Sequence, residues 1–280
     1  MSDTVALIGI GAMGKALLKR LLVLGKRVQA FDISEASRQA ASDAGAAVMD
    51  SADMAARGAS VIHVIVASDD QAIAAILGDK GVVAGASPGA LILLHSTVLP
   101  ETTRHIAQQA AGSRIDVLDA PTTAVPIEME AGKGAFLIGG PQDLVDGTRD
   151  YLLQLGESVH HFGPLGAGNV AKLGTALINA GERVLLAEVL NLVEAGGLDL
   201  RQFLDMERAT GTTAPVKRWE KIYMIENGHG THRPSTNLFN KDIVLAAKLS
   251  ESYKLYAPVT QGTARTAMQW VKYWASLRKT

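Results

Sequence analysis

The sequence predicts an α/β fold: a doubly wound parallel sheet in the first half, then an all-α second half. Three observations carry this expectation. Short β-branched runs alternate with longer helical patterns between Val5 and Phe162, glycines follow the first run at once, and the strand signal stops near Gly163. Strands alternating with helices imply βαβ units with right-handed crossovers. The chain has 280 residues, more than the ~100–200 of one common domain. The change of pattern places a boundary near residues 162–166, giving a sheet domain over 1–163 and a helical one over 164–280.

Each element has its own signal. Val5 to Ile8 reads as a buried strand, and the stretch Ala16 to Leu24 as a helix stopped by Gly25 in the left-handed conformation. Val28 to Phe31 is the next strand. Ser34 is placed to cap a helix running through Ser37 to Ala44, with Gly45 ending it. Val61 to Val66 is a nearly continuous apolar run, the mark of a parallel strand buried on both faces. Leu91 to Leu94, Ile115 to Leu118, Phe136 to Ile138 and Val159 to Phe162 continue the series. Beyond Gly163 the spacing of Val170, Leu173, Leu177, Val184 and Val193 predicts a long helix, and segments 199–209, 214–226 and 239–275 also read as helices. No strand is expected there.

Composition narrows the function classes. Lys and Arg number 27 against 28 Asp and Glu, a formal net charge of −1, with the basic residues dispersed. That leaves no electrostatic footprint for nucleic acid. The chain has no cysteine, which excludes disulfides, a thiol nucleophile and thiolate metal sites. No window approaches the ~18 uncharged apolar residues of a membrane span. The start, Met1-Ser2-Asp3-Thr4, lacks a basic leader, so a cytoplasmic protein is expected. The clusters His229/His232 and His160/His161 come without a metal-ligand frame, and no metal is expected. Trp219, Trp270 and Trp274 fall on helical segments and are expected to pack.

Gly9-Ile10-Gly11-Ala12-Met13-Gly14 fits GxGxxG between a strand and a helix. Gly9 permits the tight turn, Gly11 leaves room for a pyrophosphate, and Gly14 lets helix and strand pack closely. Amides at the helix N-terminus then face the phosphate charge. Asp32 ends the second strand 18 positions after Gly14, near the spacing at which a carboxylate accepts from the adenosine ribose hydroxyls. It would repel a 2′-phosphate, so NAD is expected rather than NADP. Arg38, further on, is expected on a solvated face. The loop alone does not separate flavin from nicotinamide dinucleotides.

Several segments together resemble the β-hydroxyacid dehydrogenase family, typified by 3-hydroxyisobutyrate dehydrogenase. The glycine loop carries Met13 before its third glycine. His95-Ser96-Thr97-Val98-Leu99-Pro100 is similar to the family's Ser-Thr-x-x-Pro segment, and Asp119-Ala120-Pro121-Thr122-Thr123-Ala124 to its Asp-Ala-Pro-Val-Ser-Gly substrate loop. The run from Gly163 through Gly166, Gly168 and Asn169 to Lys172 resembles its GxxGxGxxxK segment, and Lys241-Asp242 with Leu245-Ala246 its KDxxLA motif. The resemblance spans essentially the whole chain. It implies a Rossmann-type NAD-binding domain followed by a helical domain, a small hydroxyacid or carbonyl substrate, and a homodimer or homotetramer.

It also implies roles. Lys172 is the expected general acid/base, because a neutral amine accepts the hydroxyl proton and an ammonium returns it. From spacing alone a surface lysine fits as well. Val66, Ala67, Thr97 and Lys241 would meet the cofactor; Thr122, Thr123, Asn169 and Thr175 would meet the substrate. For Thr97, Thr122, Thr123 and Asn169 a capping or turn role fits the local sequence too, and for Lys241 a solvated helix face. The family's Ser-Gly-Gly is Thr123-Ala124-Val125 here, its Lys-x-x-Asn-Asn is Lys172-Leu173-Gly174-Thr175-Ala176, and its Leu-Pro is Val66-Ala67. These departures imply a hydroxyacid with a different substituent, or another alcohol. Imine reduction and a non-catalytic NAD-binding module are the alternatives.

Overall fold

Six parallel strands form the main sheet: β1 (Thr4–Ile8), β2 (Arg27–Phe31), β3 (Ala47–Val48), β4 (Val61–Val64), β5 (Leu91–Leu94) and β6 (Asp116–Asp119), in the order β3-β2-β1-β4-β5-β6. The computed structural model describes residues 3–173, 175, 192–199, 202–203, 206, 209–210, 225–226, 229–230, 251, 254–259 and 261–262. The chain divides into two compact units, Met1–Ala176 and Leu177–Thr280. The first reaches past the change of sequence pattern at residues 162–166.

Alternation along each strand feeds two cores. Val5, Leu7, Val28, Ala30, Val61, Leu93 and Leu118 pack with α1 (Ala12–Val23) and α8 (Gln142–Leu155). Ala6, Ile8, Ile62, Val64, Ile92, Leu94 and Val117 pack with α3 (Ala52–Ala56), α4 (Asp69–Leu77) and α6 (Pro100–Ala111). Both faces are thus covered, which is why the strands read as unbroken apolar runs. The expected helix punctuation is present. Gly25 has φ +74° just after α1, Ser34 Oγ accepts the Ser37 N–H at the start of α2 (Glu35–Asp43), and Gly45 has φ +99° beyond its end.

Three expectations need correction. The Val61–Val66 strand ends at Val64. β7 (Ala135–Ile138) and β8 (Ser158–His161) do not extend the main sheet; they form a separate parallel pair. β7 meets the end of β6 through antiparallel bridges, Asp119 with Gly139 and Thr122 with Phe136. In the second unit β9 (Ile225–Glu226) pairs antiparallel with β10 (His229–Gly230) where only helix or loop was expected. The overlooked signal is Asn227-Gly228, the dipeptide most favoured between two hairpin strands. Trp219, His232, Trp270, Trp274 and most of segments 214–226 and 239–275 lie outside the described residues.

Candidate active site

The glycine loop sits between the C-terminal ends of β1 and β4, where the strand order reverses. That crevice is the binding edge of an open α/β sheet. Each glycine answers a different constraint. Gly9 has φ +93°, and a Cβ there would collide with the Ile65 carbonyl; a Cβ on Gly14 would collide with the Gly9 carbonyl. Gly11, the exposed N-cap of α1, has nothing within 4 Å of where a Cβ would be. Space and the unbonded first-turn amides of α1 therefore coincide at Gly11, Ala12 and Met13. This cradle fits a dinucleotide pyrophosphate.

Asp32 braces the loop. Its Oδ2 accepts the Ile10 N–H at 2.6 Å and its Oδ1 the Ser34 N–H at 2.7 Å. Arg38 is half-buried, not on a solvated face as expected. Its Nη1 donates to the Asp32 carbonyl at 2.7 Å and the Ile33 carbonyl at 3.2 Å, so the guanidinium closes the turn after β2. Across the crevice the buried Ser96 Oγ accepts the Val66 N–H at 2.8 Å and ties the ends of β4 and β5 together. Ala67 and Thr97 are exposed on either side of this clasp.

The loop after β6 meets the helix that bears Lys172, helical over 167–173. Asp119 is buried, and its carboxylate accepts the Gly166 N–H at 2.7 Å and the Asn169 N–H at 2.8 Å. Gly139 leaves room for it, since a Cβ there would strike both carboxylate oxygens, while a Cβ on Gly168 would strike the Leu137 carbonyl and then Oδ2. Burial pushes the Asp119 carboxyl up, against the pull of the amides it accepts from. Three residues on, Lys172 Nζ donates to the Thr122 carbonyl at 2.6 Å, and burial pushes its ammonium below the ordinary lysine range. A half-buried amine is thus held against the segment that follows β6.

The Asn169 side chain bonds within the protein. It is fully buried; Oδ1 accepts the Val98 N–H at 3.2 Å, and Nδ2 donates to Thr103 Oγ1 at 3.0 Å. With both ends of the amide engaged, it joins the Lys172 helix to the start of α6. Thr175 Oγ1 donates to the Ala171 carbonyl at 3.1 Å. Thr122 is half-buried and Thr123 exposed. The amides that follow are all taken. Thr123 N–H donates to the Ala135 carbonyl at 3.1 Å, Ala124 N–H to Thr122 Oγ1 at 3.1 Å and Val125 N–H to Glu128 Oε2 at 3.0 Å. Lys241 lies outside the described residues.

Behind this loop lies a polar chain that sequence reasoning missed. His63 and His95 are buried, their ring planes within 9° of parallel and their centres 5.2 Å apart, and they link Tyr151 of α8 to the Ala120 carbonyl. The available signal was His63 itself, in the middle of a run already assigned to a strand covered on both faces.

Comparisons with known proteins give the family. Residues 4–163 match the family model of the NAD binding domain of 6-phosphogluconate dehydrogenase. Residues 166–273 match that for NAD-binding of NADP-dependent 3-hydroxyisobutyrate dehydrogenase. A 3-hydroxyisobutyrate dehydrogenase of Pseudomonas aeruginosa is 29% identical over 269 residues, covering 92% of this chain and 89% of the relative. A NAD-dependent L-serine dehydrogenase of the same organism is 31% identical over 208 residues, 74% and 70% of the two chains. Among solved structures, the 3-hydroxyisobutyrate dehydrogenase of Mycobacterium tuberculosis with L-serine superposes with TM-score 0.69 at 25% identity, over 97% of this chain and 94% of that one. An imine reductase from Myxococcus stipitatus with NADP+ shares the fold at TM-score 0.79 and 22% identity, over 96% and 94%.

The family matches, on this fold and glycine cradle, make the chain an oxidoreductase with a Rossmann domain for a nicotinamide dinucleotide. Together with the relatives above they place the chain in the β-hydroxyacid dehydrogenase family, whose members act on CH–OH donors. Among the described residues no helix is long and apolar enough to cross a membrane.

Proposed function

We propose that the protein is a NAD-dependent dehydrogenase that interconverts a 3-hydroxyacid, or a related alcohol, and its carbonyl, with Lys172 as the acid–base group. The observation that carries this reading is the half-buried Lys172 amine held on the Thr122 carbonyl by a helix capped from Asp119. Gly9, Ile10, Gly11, Ala12, Met13 and Gly14 would hold the pyrophosphate, with Asp32 at the adenosine ribose, Val66, Ala67 and Thr97 along the crevice, and Lys241 by family likeness. The bound nicotinamide supplies or accepts a hydride. Lys172 takes the hydroxyl proton as a neutral amine in oxidation and returns it as an ammonium in reduction. Desolvation moves its proton affinity toward the working range, which makes both steps accessible. Thr122, Thr123 and Thr175 are assigned to substrate recognition and Asn169 to positioning the helix.

Asp32 supports NAD over NADP, because its carboxylate would face a 2′-phosphate. Dissociation constants for NAD and NADP test this, and tighter NADP binding overturns it. A homodimer or homotetramer completes the proposal and is read by light scattering. The decisive assay follows NAD reduction with 3-hydroxyisobutyrate, L-serine, 2-(hydroxymethyl)glutarate and other 3-hydroxyacids of varied 2-substituent. No turnover with any of them defeats the reading.

A second reading rests on the loop amides. Thr123, Ala124 and Val125 spend their N–H groups internally, the last on the Glu128 carboxylate. A substrate carboxylate finds no free backbone donor in that run and has only the Thr123 hydroxyl to meet, which favours an uncharged carbonyl or imine. Faster turnover of a cyclic imine than of every hydroxyacid would establish it.

A further inference from the structure

Tyr151, His63 and His95 form a chain with one proton arrangement. Tyr151 Oη lies 2.7 Å from His63 Nε2, His63 Nδ1 lies 2.9 Å from His95 Nε2, and His95 Nδ1 lies 2.7 Å from the Ala120 carbonyl. A carbonyl only accepts, so His95 Nδ1 carries its hydrogen. In a neutral ring Nε2 is then the acceptor. His63 must donate to it from Nδ1, which leaves His63 Nε2 to accept from the Tyr151 hydroxyl. Burial keeps all three groups neutral: it lowers the His95 ring to about 4 and His63 well below its usual range, and raises the Tyr151 hydroxyl above the ordinary tyrosine range. The charged groups near this chain lie outside it. Lys26 Nζ sits 5.9 Å from the centre of the Tyr151 ring.

Burying three polar groups disfavours folding unless every one is paired, and an apolar trio of similar volume would avoid the demand. What the chain holds is therefore informative. Its end is Ala120, within four consecutive residues that are each tied down. Asp119 caps the Lys172 helix, the Ala120 carbonyl accepts from His95, the Pro121 carbonyl accepts the Leu137 N–H at 2.9 Å, and the Thr122 carbonyl accepts from Lys172. His95 also directly precedes Ser96, the clasp between β4 and β5 on the cofactor side.

We infer that His95 is a positioning residue: its Nδ1–H fixes the Ala120 carbonyl, and with it the segment whose next carbonyl but one holds Lys172, while Tyr151 and His63 lock the His95 ring in the tautomer that can do so. The inference rests on the reading of Lys172 as the acid–base group, but its test does not need a substrate.

Two measurements on the full chain decide it. In protein labelled with 15N-histidine, long-range proton–nitrogen spectra at pH 7 should show Nδ1–H and bare Nε2 on both His63 and His95. A proton on either Nε2 overturns the lock. The second measurement is the pH dependence of Lys172 modification by trinitrobenzenesulfonate, read by peptide mass spectrometry. His95→Asn keeps an N–H donor and should leave the Lys172 midpoint in place. His95→Leu frees the loop, exposes the amine and should raise that midpoint by about one pH unit, about tenfold less neutral amine at fixed pH. NAD affinity should stay within about twofold in both, which also reports folding.

If His95→Leu does not fold, Tyr151→Phe removes a single hydroxyl, leaves His63 Nε2 without its donor and should give a smaller shift of the same sign. An unchanged midpoint in the Leu and Phe variants, or an equal shift in the Asn variant, refutes the role of His95. Turnover of Lys172→Ala tests the acid–base assignment separately, so either idea can fail alone.

Discussion

Asp119 accepts the backbone N–H of Asn169 at 2.8 Å, so the last residue of β6 caps the helix that carries Lys172. Strand and helix are fifty residues apart in sequence and share one carboxylate. Asp119→Ala should lower stability by about 1–3 kcal/mol, from the lost cap and two amides left without partners. It should also lower turnover by about 10²-fold, because the helix start sets where the amine sits. Asp119→Asn keeps one acceptor and should fall between. Thermal unfolding and kcat for the three proteins check the order.

Lys172 gives the reaction a pH signature. Its ammonium is weakened by burial. Oxidation needs the neutral amine, so its rate should rise with pH through a midpoint below that of an exposed lysine. Reduction needs the ammonium and should fall through the same window. Lys172→Ala should lose about 10²–10⁴-fold in both directions. Lys172→Arg keeps the charge but does not titrate, and should fail like alanine. A bidirectional pH–rate series on wild type and the two variants is the measurement.

The three loop glycines should separate folding from binding. Gly9→Ala and Gly14→Ala force a Cβ into backbone carbonyls. Each should cost stability on the scale of overpacking, about 1–3 kcal/mol. Gly11→Ala meets open space in the protein alone. Its unfolding midpoint should be nearly unchanged while NAD affinity drops, since the methyl group stands where the pyrophosphate would approach. Denaturation curves beside cofactor titrations distinguish the two classes.

Acid should unfold the protein earlier than its salt bridges suggest. Below their usual pKa of 6.5 the histidines of the unfolded chain take up protons, whereas buried His95 resists down to about 4 and buried His63 is likewise held well below its usual range. The unfolded state thus binds more protons in this window. Stability is full above about pH 6.5 and is lost on acidification at about 1.4 kcal/mol per pH unit for each ring. Asp119, whose carboxyl is pushed up, offsets part of this because its folded form takes a proton early. Urea midpoints at several pH values between 4 and 7 should fall steadily toward acid; a flat profile contradicts two buried neutral rings.

The sheet was legible because its strands must be apolar on both faces, and the glycine loop because backbone geometry leaves few residue choices at Gly9 and Gly14. Ser34, Gly25 and Gly45 were legible for the same local reasons. What sequence did not show is where chain direction reverses in space. Phe136–Ile138 looks like any other strand of the series, yet it bridges β6 in the opposite sense. Asn169 fits a substrate contact by helical spacing, and only burial reveals that Val98 and Thr103 claim it. Arg38 looked solvated until its carbonyl partners were seen. The histidine chain joins residues 63, 95, 120 and 151 through contacts that no local pattern encodes.

The hollow around Asp119 has an evolutionary reading. Position 139 is tied to position 119, since the carboxylate oxygens are the first atoms a methyl group at 139 would meet, and position 168 is tied to the Leu137 carbonyl of β7 as well as to the acid. A lineage that acquires alanine at 139 has to shift the acid, and one that acquires it at 168 has to shift β7 too, so in either the start of the Lys172 helix is no longer ordered this way. Divergence at two silent-looking glycines would thus mark a branch that has abandoned this way of presenting its lysine.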